Sequence, residues 1–167
     1  MQKSLKVDIS PIWEEIEPAK GTLTDFLSDL GFSEDAVDAL TMVTGELMEN
    51  AVKYGSFQLP SDQVGVEIRV SQGGVTIEVT NPVDEVSYHH LKNLDKAIQW
   101  IRGYQDPFEA YVDKLKEISK KPLHDEESGL GLVRIAYEGR GVLDFFVGED
   151  GVLNVSAITN MEGECST

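Results

Sequence analysis

Val37, Leu40, Thr44, Leu47, Ala51 and Tyr54 recur at steps of three and four residues. That period predicts an amphipathic helix with one core-facing stripe. Ser33 is placed to cap its start, Glu34, Asp35 and Asp38 favour the positive end of the helix dipole, and Gly55 ends it. Its last turns read TGELMENAVKYG. Glu46 and Asn50 sit there at i,i+4, on one face and a turn apart. Both fall at the border of the stripe, where a pocket wall would lie. A hard cation could use the amide oxygen, and the carboxylate could serve as a base. A soluble helix surface could equally carry the pair with no further role.

Other stretches alternate with period two, which predicts strands. Leu5 to Ser10 suits an edge strand. Val64 to Val70 and Val75 to Val79 read as a hairpin turning at Gln72-Gly73-Gly74, and Asn81-Pro82 is expected to break the second strand. Val142 to Gly148 and Val152 to Ile158 form a second hairpin at Glu149-Asp150-Gly151. Pro11 to Gly21 is ambiguous, and Trp13 there could cover core or meet a partner. Thr22 to Leu30 reads as a short helix with Thr22 as N-cap and Gly31 as stop.

Between the hairpins the period changes. Tyr88, Leu91, Leu94, Ile98 and Ile101 make one helical stripe, closed by Gly103. Asp106-Pro107 opens another helix, with Phe108, Tyr111, Val112, Leu115 and Ile118 as its stripe and Pro122 as its stop. Residues 86–121 therefore read as a two-helix insertion. An acidic loop containing His124 follows, and then Gly129-Leu130-Gly131-Leu132 leads into a helix stopped by Gly139. Residues 1–160 are expected to form a single α+β domain, and 161–167 a disordered tail.

Charge narrows the classes of partner. The chain holds 30 acidic against 14 basic side chains, a formal net charge of −16. Such a surface repels phosphate backbones and anionic lipid, which argues against nucleic acid and membranes as partners. No span approaches the ~20 apolar residues of a membrane helix. The lone Cys165 allows no internal disulfide, so the cytoplasm is the expected location. His89 and His90 read as solvated groups on a helix, a phosphoacceptor role being the sharper alternative. His124 with its acidic neighbours lacks metal-ligand spacing.

The order of the motifs is more specific than any one of them. A helix with Glu-x-x-x-Asn, a hairpin, a helical segment, Gly-Leu-Gly-Leu and a second hairpin resembles the histidine-kinase-like (GHKL) ATPase superfamily. The resemblance runs from Ser33 to Ile158 and is greatest to the small anti-sigma-factor serine kinases. It implies a two-layer α/β sandwich of the Bergerat type, with a mixed, mainly antiparallel sheet and helices on one face. It implies ATP and Mg²⁺ as cofactors, with Glu46 as the catalytic base and Asn50 as the metal ligand. Ala51 to Tyr54 continue that motif. Gly129 and Gly131, with Leu130 and Leu132, match the glycine box at the triphosphate. The family's Asp-x-Gly-x-Gly, whose carboxylate meets the adenine amino group, is replaced by Val79-Thr80-Asn81-Pro82-Val83-Asp84. Asn81 stands where the aspartate belongs and offers a neutral acceptor, with Asp84 as a second candidate. The two-helix insertion takes the place of the ATP lid. The implied function is Mg-ATP-dependent phosphoryl transfer to a partner protein, a STAS-type antagonist or sigma-factor-like regulator, with a homodimer left open. The alternative is a GHKL-fold binding module that has lost its nucleotide.

Overall fold

The computed structural model describes residues 2–121 and 129–160. The acidic loop with Pro122 and His124, and the tail with Cys165, lie outside the described residues. The strands are β1 (Lys3–Ile9), β2 (Val64–Ser71), β3 (Gly74–Pro82), β4 (Gly141–Val147) and β5 (Val152–Thr159). They form one sheet in the order β1-β2-β3-β5-β4. All four pairings are antiparallel, so the sheet is simpler than the mixed one expected. The helices are α1 (Ile16–Asp29), α2 (Glu34–Tyr54), α3 (Tyr88–Arg102), α4 (Pro107–Ser119) and α5 (Leu130–Tyr137), with a 3₁₀ turn at Trp13–Glu15.

Alternation decides which face of the sheet is buried. Val64, Val66, Ile68, Val75, Ile77, Val79, Val155 and Ala157 point into the core. The opposite face carries Lys6, Glu67, Arg69 and Glu78, joined in a ladder of ion pairs. Helix α2 buries Val37, Leu40, Val43, Leu47, Met48 and Ala51 against the sheet and α1. Each such side chain contributes roughly 1.5–3 kcal/mol by leaving water. Ser33 caps α2 by accepting from the Ala36 N–H at 3.2 Å. The Gly55 N–H closes the helix on the Ala51 carbonyl. Gly55 is needed there for space, since a Cβ would strike the Phe57 ring.

Two further sequence expectations need correction. Helix α1 begins at Ile16, not Thr22. Pro18 falls in its first turn, where a missing N–H costs nothing, and the Thr22 hydroxyl bonds the Pro18 carbonyl instead of capping. Strand β3 continues through Asn81 and Pro82, which pair with Leu153 and Val152. The proline is tolerated because pairing with β2 has already ended at Thr80, leaving no partner on that side for an N–H to reach. In helix α4 only Ala110 is buried, and Phe108 and Leu115 of its stripe stay 46% and 41% exposed. None of the described helices is long and apolar enough to cross a membrane.

Candidate functional site

The end of α2, the end of β3, α3 and the start of α5 enclose a cavity of about 480 Å³. That volume falls within the range of sites for nucleotide-sized ligands. Its walls include Glu46 and Asn50 from α2, Asn81 from β3, and Gly129, Gly131 and Leu132 at α5. Six of the eight residues singled out from the sequence thus share one space, although 46 and 132 are far apart in the chain. Leu130 and Asp84 are not among the lining residues.

At the α5 end of the cavity, the lining residue Glu46 is held from behind by Arg134 and lies against Gly131. The Arg134 guanidinium donates through Nη1 to Glu46 Oε1 at 2.8 Å, and its Nε and Nη2 donate to Glu138 at 3.2 Å. The other Glu46 oxygen lies against Gly131, where any Cβ would overlap it. Gly131 is therefore a requirement of close approach, whereas Gly129 is a requirement of backbone angle, with φ at +65° just before the helix. Burial raises the Glu46 pKa, and the neighbouring Glu49 adds to the rise, while Arg134 opposes both. Asn50 is half-buried one turn along, and its side-chain amide has no hydrogen bond to any described residue.

The β3 end is tied differently. Asn81 is buried, and its amide nitrogen donates to the Pro82 carbonyl at 3.0 Å. That bond fixes the orientation of the amide and leaves Oδ1 as an acceptor that no described residue uses. The same Pro82 carbonyl accepts from the Ser56 N–H, which docks the loop after α2. Asp84 is fully engaged. One oxygen accepts from the Ser56 hydroxyl at 2.8 Å and from Gln58, and the other from the Ser87 N–H and hydroxyl. The Ser56 bond is the main reason that its pKa lies below the usual value. Asp84 is thus a loop anchor at the start of α3, and its carboxylate is not presented to the cavity.

Sequence reasoning missed several lining groups. His90 is half-buried in the cavity wall, its ring 4.7 Å from that of Tyr54. Lys53, Trp13, Ser87 and Asn93 also line the space. Arg134 was missed altogether. The one available signal was a lone cation three residues after Gly131, one turn along the same helix. No group of His, Cys, Asp and Glu side chains suited to a metal ion occurs among the described residues. A metal here would rest on Asn50, a carboxylate and its own ligand's oxygens.

Residues 11–136 match the family model described as the histidine kinase-like ATPase domain. The chain belongs to that family. The chain also resembles a chain in the crystal structure of the SiaB–SiaC complex from Pseudomonas aeruginosa. The TM-score is 0.65 at 20% identity, covering 93% of this chain and 88% of that one. At that identity the likeness speaks for the fold. It covers more of the chain than the family match does. No curated protein matches the sequence. The family's ligand fits the cavity in three respects: its volume, the unused Asn50 amide, and the unused Asn81 acceptor.

Proposed function

We propose that this protein binds Mg-ATP in the cavity between α2, β3 and α5. It works as an anti-sigma-type regulator that transfers a phosphoryl group to a partner protein. The observation that carries this reading is the convergence of Glu46, Asn50, Asn81, Gly129 and Gly131 on one space of nucleotide size. Asn50 would supply an amide oxygen to the metal. Asn81 Oδ1 would accept from the exocyclic amine of the base. The backbone at Gly129 and Gly131, at the start of α5, would face the phosphates. Bound Mg²⁺ would offset the phosphate charge that Glu46 and Glu49 repel, and would polarise the transferred phosphoryl group. Glu46 would accept the proton of an attacking hydroxyl once its carboxylate is free of Arg134. By family resemblance that hydroxyl belongs to a serine of a STAS-type antagonist or a sigma-factor-like regulator. A neighbour in fold is known as one member of a two-protein complex, which agrees with partner binding.

A second reading has its own support. Glu46 is committed to Arg134, and the Asp-x-Gly-x-Gly turn is replaced by a strand end with Pro82. A binding module without nucleotide would tolerate both. Calorimetry with millimolar ATP and Mg²⁺ separates the two readings. Saturable heat in the wild type, lost in Asn50→Ala, supports the first. Absence of heat together with an unchanged melting temperature supports the second and removes the first.

A further inference from the structure

Helix α4 turns part of its apolar stripe outward. At ~100° per residue, Phe108, Val112 and Leu115 fall in one sector about 60° wide. That sector should meet the core. Instead the border of the stripe and the side beyond it pack on the body: Tyr111 and Ile118 are half-buried, the Tyr111 ring is 5.2 Å from that of Tyr137, Ala110 is buried, and Lys114 lies against Gly129. Phe108 and Leu115 remain 46% and 41% exposed, and Val112 is half-buried. The Tyr137 ring, 5.2 Å from that of Phe108 and itself 39% exposed, widens the patch. An apolar stripe placed outward on a strongly acidic chain calls for an occupant.

The charges beside the stripe point to which one. Glu109, Asp113, Lys116 and Lys120 are all exposed and share the flank next to it. The two acids lie in the first half of α4 and the two bases in the second. Read against itself in the antiparallel sense, this flank is complementary: in such a pair, like flanks meet, and each acidic half faces the partner's basic half. A twofold contact of this kind is closed and uses one patch on both copies. We propose that α4 is an interface between two copies of this chain, paired antiparallel through Phe108, Val112 and Leu115. The helix spans only about 20 Å. One helix pair therefore buries less than the ~800 Å² per partner of a stable complex, and the dimer should be reversible and concentration-dependent.

Sedimentation equilibrium over a wide concentration range tests this, with circular dichroism as a check that each variant is folded. The wild type should show a monomer–dimer equilibrium, and Leu115→Glu should be monomeric. Glu109→Lys with Asp113→Lys should weaken the dimer by about tenfold or more, as should Lys116→Glu with Lys120→Glu. Combining all four reversals should restore it, because the flank is again complementary to itself. Restoration is the distinguishing result, since a general effect of charge on stability would not produce it. A wild type that stays monomeric overturns the proposal, as does a dimer indifferent to Leu115→Glu. So does a fourfold variant that dimerises no better than either double one. None of these outcomes depends on whether nucleotide binds.

Discussion

At the α5 end of the cavity, two helices meet through Glu46, Gly131 and Arg134, and the polar groups there are spent on one another. At the β3 end, a strand and two loops meet through Asn81, Pro82, Ser56 and Asp84. There the anchoring is done by Asp84 and the Pro82 carbonyl, and Asn81 keeps an acceptor in reserve. On the proposed function, the second end would meet a ligand as it stands, and the first would exchange an internal ion pair for an external one. Binding and turnover should therefore respond to different residues. The β3 end should govern affinity for the base. The α5 end should govern whether Glu46 is available for chemistry.

Breaking the α5 end should have the largest effect on stability. Arg134→Ala leaves Glu46 half-buried and unpaired, at a cost of about 1–2 kcal/mol after allowing for the solvent access of the pair. Removing Glu46 as well should recover most of that. Urea denaturation of the two single variants and the double one measures the coupling, and additive losses would show that the pair is idle. Gly131→Ala sharpens the same point. The added methyl must displace the Glu46 carboxylate, at about 1 kcal/mol in the wild type and close to nothing in a Glu46→Ala background. Equal losses in both backgrounds would place the strain elsewhere.

At the β3 end the ligand effect is the larger one. Asn81→Asp loses the bond to the Pro82 carbonyl and puts a carboxylate at a buried position, so stability should fall, yet it offers a charged acceptor in place of a neutral one. Calorimetry should show tighter binding of adenosine by Asn81→Asp than by the wild type, and weaker binding would contradict the assigned orientation of the amide.

The smallest effect is a pH dependence at Glu46. Its folded pKa is raised, chiefly by burial, from 4.5. The folded state therefore holds a proton there that the unfolded state has already lost. The stabilisation is present below 4.5 and fades as pH rises through the folded value. The stability of the wild type relative to Glu46→Gln should fall with rising pH across that window. A flat or rising difference would mean that Arg134 outweighs burial.

Much of this was legible in the sequence. The period of α2, the two hairpins and the glycine pair sufficed to bring Glu46, Asn50, Asn81 and Gly131 to one cavity. Local pattern reports which residues want burial and which turns the backbone can make. It does not report which groups pair across space, so the contact between Glu46 and Arg134, 88 residues apart, was invisible. Asp84 misled for the same reason: a carboxylate near a motif looks available until Ser56 and Ser87 are seen to hold it. In α4 the pattern gave the helix and its stripe but not which way each part of it faces, and Phe108 and Leu115 turn out exposed. At β3 the proline was read as a break, although a strand end with one neighbour gone can carry it.

The central claim is that the space between the two ends is a nucleotide site. Amide chemical shifts recorded while Mg-ATP is titrated into ¹⁵N-labelled protein test it at residue level. The account predicts saturable shifts centred on Asn50, Asn81, Gly129 and Gly131, with small ones at the distant ion-pair ladder of Lys6, Glu67 and Arg69. A spectrum unchanged at millimolar Mg-ATP would contradict it, and so would shifts that cluster away from the cavity.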